Sequence, residues 1–347
     1  MFGESFEYVV PKRLQMRKSR AKLLVGQTAN RREEFDPLKR FADIYWLEDM
    51  DEEQQARVLP QIDCLYSHGW PKGLDAEKVS AMKSLRLYQA GNAGVNSIRF
   101  DLLDKNVVVC SNAGSYSEEV AEFAIGLMLA AGKSIVKFDR ELRAGAFSHQ
   151  RLDDLGRQVA FFRGKTLGIV GYGGIGRATG RMAKPFGMQV LAFGRHPVTD
   201  KGVKSLRGRA GLLKLLRESD VVVLAVPLTN VTRGMIGREE LGAMRPGGTL
   251  VNVARGEVVQ KEAIYDHLVK NPAFVYATDV WWPDKQGVES FSPDLPFLEL
   301  ENFIGTPHCS GPSAIITGRV GKGVVENLTR YFEGRPLKNV VDRSEYS

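Results

Sequence analysis

The sequence predicts an α/β protein of two doubly wound domains, with the second inserted into the first. Three observations carry this expectation. Two separate stretches alternate short apolar runs with longer amphipathic ones, as parallel sheets covered on both faces do. At 347 residues the chain exceeds the length at which one core usually divides. A last helical stretch lies beyond the second alternation and is too long for an edge decoration. The expected boundaries are residues 1–115 with 310–347 for the first domain and 116–309 for the second.

Composition fits a globular protein, with 43% hydrophobic and 26% charged residues. The net charge of +7 and the cluster "KRLQMRKSRAK" raise nucleic acid as a partner. No stacking aromatics or recognisable binding module accompany them, so a solvated arm is the expectation and no nucleic-acid partner is. Cys64, Cys110 and Cys309 are scattered without a CxxC pair, which argues against a metal site or a disulfide scaffold and fits a reducing compartment. The first residues lack the apolar core of a secretory signal, and no run approaches the roughly 20 apolar residues that span a bilayer. A cytoplasmic enzyme with no membrane partner is expected.

In the first domain "KLLVG", "IDCLYS", "LRLYQAG" and "VVVCSN" read as buried strands, with "DEEQQARVLPQ" and "DAEKVSAMKS" as helices between them. "GSYSEEVAEFAIGLMLAAGKSIVKFDREL" follows as one long helix. Ser115 and Glu118 have capping-box spacing, and Val120, Phe123, Ala124, Leu127 and Met128 fall at helical intervals. After the loop-rich "SHQRLDDLGRQ", a cleaner alternation begins at Lys165 with the strands "TLGIVG", "QVLAFG", "VVVLAVP", "TLVNVA", "FVYATDV" and "NFIGT". "AIITGRVGKGVVENLTRYFEG" then reads as a helix that returns to the first domain.

Between "TLGIVG" and its helix stands Gly171-Tyr172-Gly173-Gly174-Ile175-Gly176, a GxGxxG in strand–turn–helix context. Gly171 allows the tight turn, Gly173 lets backbone approach a pyrophosphate, and Gly176 permits close packing of helix on strand. This is the fingerprint of a Rossmann dinucleotide-binding domain. Nineteen residues after Gly176, the second strand ends in Gly194-Arg195, where NAD-binding versions carry an acid for the ribose hydroxyls. Gly194 offers no carboxylate, and Arg195 brings a fork suited to a 2′-phosphate, so NADP is the preferred cofactor with NAD possible. The alternative for Arg195 is a solvent-facing residue that only stacks on adenine.

Three stretches place polar residues just past apolar strands, where open α/β sheets hold ligands. They are "LVNVARGEVV" with Arg255, "YATDVWWPDKQ" with Asp279 and Asp284, and "FIGTPHCSG" with His308. An arginine can bind a carboxylate or polarise a carbonyl, and a histidine can protonate the carbonyl oxygen as hydride arrives at carbon. A neighbouring carboxylate favours the imidazolium and fixes the ring. Singly, each has a structural reading: a satisfied histidine, strand-end caps, and plain packing for the tryptophan pair.

Together, "GKTLGIVGYGGIGRATG", "VVVLAVPLTNVTRGMIG", "LVNVARGEVV", "ATDVW" and "TPHCSG" resemble the D-isomer-specific 2-hydroxyacid dehydrogenase family, from about Leu85 to the end of the chain. The resemblance implies a Rossmann domain inserted into a flavodoxin-like substrate domain. It implies catalytic roles for Arg255, His308 and Asp284, the last standing where the family usually has glutamate. Cofactor contacts are implied at Gly171, Gly173, Gly174, Ile175, Gly176, Gly194, Arg195, Pro227, Thr232, Ala254 and Asp279. The turn in "YQAGNAGVNSI" resembles the family's substrate loop, so Asn92, Ala93 and Gly94 would hold the substrate carboxylate beside Arg255 and His308. Asn96 stands where aspartate is common. "CLYSHGWP" places Ser67, His68, Gly69 and Trp70 where they would influence which substrate side chain fits.

The resulting expectation is reduction of a small 2-oxo acid of the glyoxylate or hydroxypyruvate class by NADPH, giving a D-2-hydroxy acid, in a homodimer built on the dinucleotide domain and the helix near Ser117 to Lys133. Formate and phosphoglycerate dehydrogenases are alternatives within the family. A catalytically weak NAD(P)-sensing scaffold, like the C-terminal-binding-protein corepressors, is the alternative outside enzymology.

Overall fold

The computed structural model describes residues 20–26, 31–147, 161–282, 293–311 and 314–346, with 314–320 described as helical backbone. The described residues form two compact units. One draws on Met1–Tyr116 and Pro312–Ser347, the other on Ser117–Gly311.

In the first unit β1 (Ala21–Val25), β2 (Ala42–Trp46), β3 (Cys64–Ser67), β4 (Leu87–Ala90) and β5 (Val108–Cys110) pair in parallel in the order β2-β1-β3-β4-β5. That is the flavodoxin-like winding, with its switch point between β1 and β3. Helix α1 (Glu52–Val58) starts at Asp51, whose carboxylate accepts the Gln54 amide at 2.8 Å while the Gln54 side chain accepts the Asp51 amide. Helix α2 (Ala76–Ala81) is capped by Asp75, whose carboxylate accepts the Lys78 amide at 2.9 Å. Both are β→α entries where an acid at the first position satisfies amides that the helix leaves unpaired.

Helix α9 (Ala314–Phe332) lays Val324, Leu328 and Tyr331 on Leu23, Val25, Phe35 and Leu87, so the last helical stretch packs on the first sheet as expected. Sequence patterning missed β2 and the 3-10 stretch Arg32–Arg40 before it. β2 is an edge strand that buries only Ala42 fully, and "REEFDPLKR" hides Phe35 and Leu38 among charges.

The second unit has seven parallel strands, β6 (Thr166–Val170), β7 (Gln189–Phe193), β8 (Val203–Leu206), β9 (Val221–Leu224), β10 (Thr249–Asn252), β11 (Val275–Thr278) and β12 (Phe303–Gly305), in the order β12-β11-β10-β9-β6-β7-β8. The order reverses between β6 and β9, which is the crevice where such sheets bind ligands. Helices α5 (Gly174–Ala183), α6 (Gly208–Glu218), α7 (Arg238–Ala243) and α8 (Lys261–Lys270) connect the strands. Leu212, Leu215 and Leu216 of α6 and Ala263, Ile264 and Leu268 of α8 enter one core with Val222, Leu224 and Leu250 of the sheet. Strand β8 escaped the pattern because "VKSL" is a short edge strand with no fully buried residue.

The long helix expected from Ser115 is two. α3 (Ser117–Gly132) ends before Ser134, which adopts a left-handed conformation at φ 52°, and α4 (Ile135–Arg143) resumes after it. The expected capping box also does not form. The Ser115 hydroxyl donates to Asn112 Oδ1 at 2.8 Å, and Glu118 pairs with Arg181 of α5. A sequence signature fixes which groups could bond, but Ser115 turns instead to Asn112 three residues before it, and Arg181 is a partner that only the tertiary fold supplies.

Candidate active site

The buried strand β6 delivers Gly171 into the left-handed region at φ +99°, where a Cβ would stand 2.6 Å from the Ala225 carbonyl group. At Gly176 a Cβ would lie 2.2 Å from the Gly171 oxygen, so only glycine lets α5 press onto the turn. Gly173 is different, because no atom lies within 4 Å of the place a Cβ would take. It is the N-cap of α5 without a side-chain cap, and Arg177 is the first residue to return its amide, to the Gly173 oxygen at 2.9 Å. Among the described residues the amides of Gly174, Ile175 and Gly176 therefore have no partner. Open backbone, three unpaired donors and the positive end of a helix dipole fit a pyrophosphate.

Gly194 follows β7, and a Cβ there would sit 3.9 Å from the Tyr172 amide nitrogen, so the strand end lies against the phosphate turn. Arg195 and His196 are exposed beside it, and residues 194–199 contain no acid. The first carboxylate after the strand is Asp200, and it is ion-paired with Arg177 of α5. That guanidinium lies 5.3 Å from the centre of the Tyr172 ring. Burial, and then the charge of Asp200, push the Tyr172 phenol up to about 12. Across the switch point, the loop after β9 is tied by Thr232, whose hydroxyl donates to the Pro227 oxygen at 2.6 Å and accepts the Thr229 amide at 2.8 Å.

Strands β10, β11 and β12 are neighbours, and Arg255, Asp279 and His308 follow them at the same edge of the sheet. Arg255 is positioned by Asn252, the last residue of β10. The Asn252 amide group donates to the Arg255 oxygen at 3.0 Å and to the Tyr276 hydroxyl at 3.2 Å, while Oδ1 accepts the Ala254 amide at 3.0 Å. Gly256 lets this turn approach its neighbour, since a Cβ would lie 2.1 Å from the Trp281 oxygen. The half-buried Arg255 side chain also donates to the Ala254 oxygen at 2.7 Å.

Asp279 is completely buried and organises the loop that carries His308. Its Oδ1 accepts the Thr306 hydroxyl at 2.6 Å and the Cys309 amide at 3.0 Å, and Oδ2 accepts the Ser310 amide at 2.9 Å. The Trp281 indole donates to the Thr306 oxygen at 2.9 Å on the same loop. Between these anchors His308 takes a left-handed backbone at φ 53°. Such a conformation in a residue other than glycine costs on the order of 1 kcal/mol or more and persists only where surrounding contacts enforce it. Burial and the facing Asp279 carboxylate push the Cys309 thiol up, so it stays protonated near neutral pH. Trp281 and Trp282 pack against Phe303 and Phe297, which makes the aromatic pair core. Asp284 lies outside the described residues.

In the first unit β3 and β4 end in two linked turns. The Asn92 side chain donates to the His68 oxygen, the Asn112 amide donates to the Asn92 oxygen at 2.9 Å, and Asn112 Nδ2 donates to the Gly91 oxygen at 3.1 Å. These bonds consume the carbonyls of the turn. Among the described residues the amides of Asn92, Ala93 and Gly94 have no partner, which leaves a row of donors suited to an anion. His68 lies over Gly91, where a Cβ would be 2.9 Å from its ring, and His68 Nδ1 lies 3.2 Å from the Tyr66 hydroxyl. Trp70 stacks on Tyr88 at 6.1 Å.

Asn252 and Thr306 were not singled out by sequence, although an asparagine inside "LVNVA" and a threonine directly after an apolar strand are visible signals. Nothing in the sequence alone pointed to the Arg177–Asp200 pair, whose members stand 23 positions apart.

A phosphate-binding turn at the switch point, with an arginine, a buried carboxylate and a strained histidine on three adjacent strand ends, defines the class as nicotinamide-dependent oxidoreductases. Comparison with known proteins gives the family. Residues 125–310 match the model of the D-isomer-specific 2-hydroxyacid dehydrogenase NAD-binding domain. The chain is 31% identical over 285 residues to a hydroxypyruvate reductase of Thermotoga maritima, covering 81% of this chain and 88% of that one. It is 35% identical over 273 residues to a glyoxylate reductase of Korarchaeum cryptofilum, covering 78% and 80%. A crystal structure described as a putative formate dehydrogenase from Pyrobaculum aerophilum superposes with a TM-score of 0.77 at 26% identity, over 94% of this chain and all of that one. The chain belongs to the D-isomer-specific 2-hydroxyacid dehydrogenase family and is an NAD(P)-dependent oxidoreductase. Among the described residues no helix is long and apolar enough to cross a membrane, and no cluster of side chains has the makeup of a metal site.

Proposed function

We propose that the protein reduces a small 2-oxo acid of the glyoxylate or hydroxypyruvate class with NADPH, giving the D-2-hydroxy acid. One observation carries the chemistry: Asp279 holds the 306–310 loop so that His308 is fixed in a left-handed conformation one strand from Asp279 and two from Arg255. The names of the relatives, hydroxypyruvate reductase and glyoxylate reductase, support the substrate class.

When bound, NADPH supplies the hydride, two electrons included, to the carbonyl carbon of the 2-oxo acid. His308 gives its proton to the carbonyl oxygen and is reprotonated from solvent. Arg255 holds the substrate carboxylate and polarises the carbonyl, and in the first unit the amides of Asn92, Ala93 and Gly94 are donors suited to a carboxylate. Gly171, Gly173, Gly174, Ile175 and Gly176 receive the pyrophosphate, while Pro227, Thr232, Ala254 and Asp279 line the nicotinamide side. Asp284, outside the described residues, is proposed as the acidic partner of His308 on the family resemblance alone. His68 and Trp70 shape the space for the substrate side chain.

NADPH preference rests on Gly194-Arg195, a strand end without an acid and with an exposed guanidinium. Arg195→Asp, with Gly194 kept, should weaken NADPH by about tenfold or more and leave NADH within a few-fold, read as KM and Kd for each cofactor. Equal losses for both cofactors would remove the 2′-phosphate contact from Arg195.

The homodimer is proposed on the dinucleotide domain and the helix near Ser117 to Lys133, continued by α4, which buries none of its residues and exposes Ile135 and Leu142, with Phe147 and Phe161 exposed at 80% and 81%. A second copy covering this face should appear in sedimentation velocity as a particle of twice 38.5 kDa. A monomer at micromolar concentration would contradict it.

A further inference from the structure

The acid that NAD-binding versions keep for the ribose is not at the end of β7. The loop that follows nevertheless carries one carboxylate, Asp200, and its place in the site is well defined. The strand end at Gly194 lies against the Tyr172 backbone, Tyr172 lies under the Arg177 guanidinium, and Arg177 is ion-paired with Asp200. These groups join the phosphate turn and the start of α5 to the loop after β7. Lys184 crosses the same loop and donates to the Lys201 oxygen at 2.7 Å.

We infer that the Arg177–Asp200 pair is a second determinant of cofactor choice: Arg177 neutralises the acid of the loop that follows Arg195, so that a 2′-phosphate bound at that loop meets a net positive surface. This inference rests on the NADPH reading of Arg195. Both partners are partly exposed, 49% for the arginine side chain and 34% for the aspartate. A pair that open contributes little to folding, so stability does not account for it. Partial exposure screens but does not abolish its electrostatic effect on an incoming dianion. Removing Arg177 leaves Asp200 as a negative charge facing the 2′-phosphate, and the uncharged 2′-hydroxyl of NADH meets no such repulsion.

The test is a double-mutant cycle on the full-length protein, with Kd for NADPH and for NADH from nicotinamide fluorescence. Arg177→Gln should weaken NADPH by about tenfold and NADH by less than about threefold. Asp200→Asn in the Arg177→Gln background should recover most of the NADPH loss, which a merely structural role for the pair would not produce. Equal weakening of both cofactors by Arg177→Gln, or no recovery in the double variant, would overturn the inference. Arg195→Asp measured alongside separates the two claims. A cofactor ratio that answers to Arg195 but not to Arg177 and Asp200 sinks the pair alone, and one that does not answer to Arg195 sinks the NADPH reading beneath it.

Discussion

His308→Asn is expected to lower kcat for 2-oxo-acid reduction by about a thousandfold while leaving Kd for NADPH within about twofold. A positioned general acid contributes roughly 10² to 10⁴ in rate, and asparagine offers no proton at neutral pH. Asparagine is the informative replacement because His308 sits at φ 53°, a left-handed conformation that asparagine tolerates better than other non-glycine residues. The loop should therefore keep its shape, and the loss can be assigned to the imidazole. Its amides remain tied to Asp279 through Cys309 and Ser310 whatever stands at 308. Turnover unchanged in His308→Asn would remove the residue from proton transfer. A collapse of NADPH binding would mean that the side chain supports the cofactor instead.

The second large effect is expected from Asp279→Asn. The substitution keeps the size and removes the charge, but an amide nitrogen must then face either the Ser310 amide or the donors at Oδ1, where the carboxylate accepts from Thr306 and Cys309. A donor set against a buried donor costs about 1–3 kcal/mol, and the strained His308 backbone loses the contact that enforces it. Displacement of a reacting group by about 1 Å lowers rates on the order of a hundredfold, so kcat should fall by about that factor. A positioning role predicts a loss in kcat at saturating NADPH. If instead only the KM for NADPH rises and saturating kcat is kept, Asp279 acts on the cofactor and the loop does not depend on it.

Much of the fold was legible because buried parallel strands write themselves as continuous apolar runs. "TLGIVG", "VVVLAVP" and "TLVNVA" mark β6, β9 and β10, all largely buried. The edges were not legible, since β2 and β8 carry polar residues that a central strand would exclude. The division of the long helix at Ser134 was hidden for a different reason. "AAGKSIV" carries Gly132 and Ser134, weak helix formers that a helix interior tolerates, with no proline to mark the break, which is set by a single left-handed residue.

For the site, glycine spacing announced the phosphate turn, because each glycine answers a steric demand that no other residue meets. Polar residues after apolar strands announced Arg255, Asp279 and His308. What holds them in place was not legible: Asn252 works through Ala254 and Tyr276, Asp279 through Thr306, Cys309 and Ser310, and Arg177 through Asp200. Most of those bonds join separate strand ends, or a helix and a loop, and spacing along the chain does not encode them.

The central claim, hydride transfer from NADPH to a small 2-oxo acid, is tested most directly by following nicotinamide absorbance with purified protein and glyoxylate, hydroxypyruvate, pyruvate and a bulkier 2-oxo acid, each with NADPH and with NADH. The account predicts oxidation of NADPH with the highest kcat/KM for glyoxylate or hydroxypyruvate, D-glycerate as the product of the latter, and lower kcat/KM with NADH. Protein that binds NADPH yet oxidises none of it with any of the four acids would contradict it.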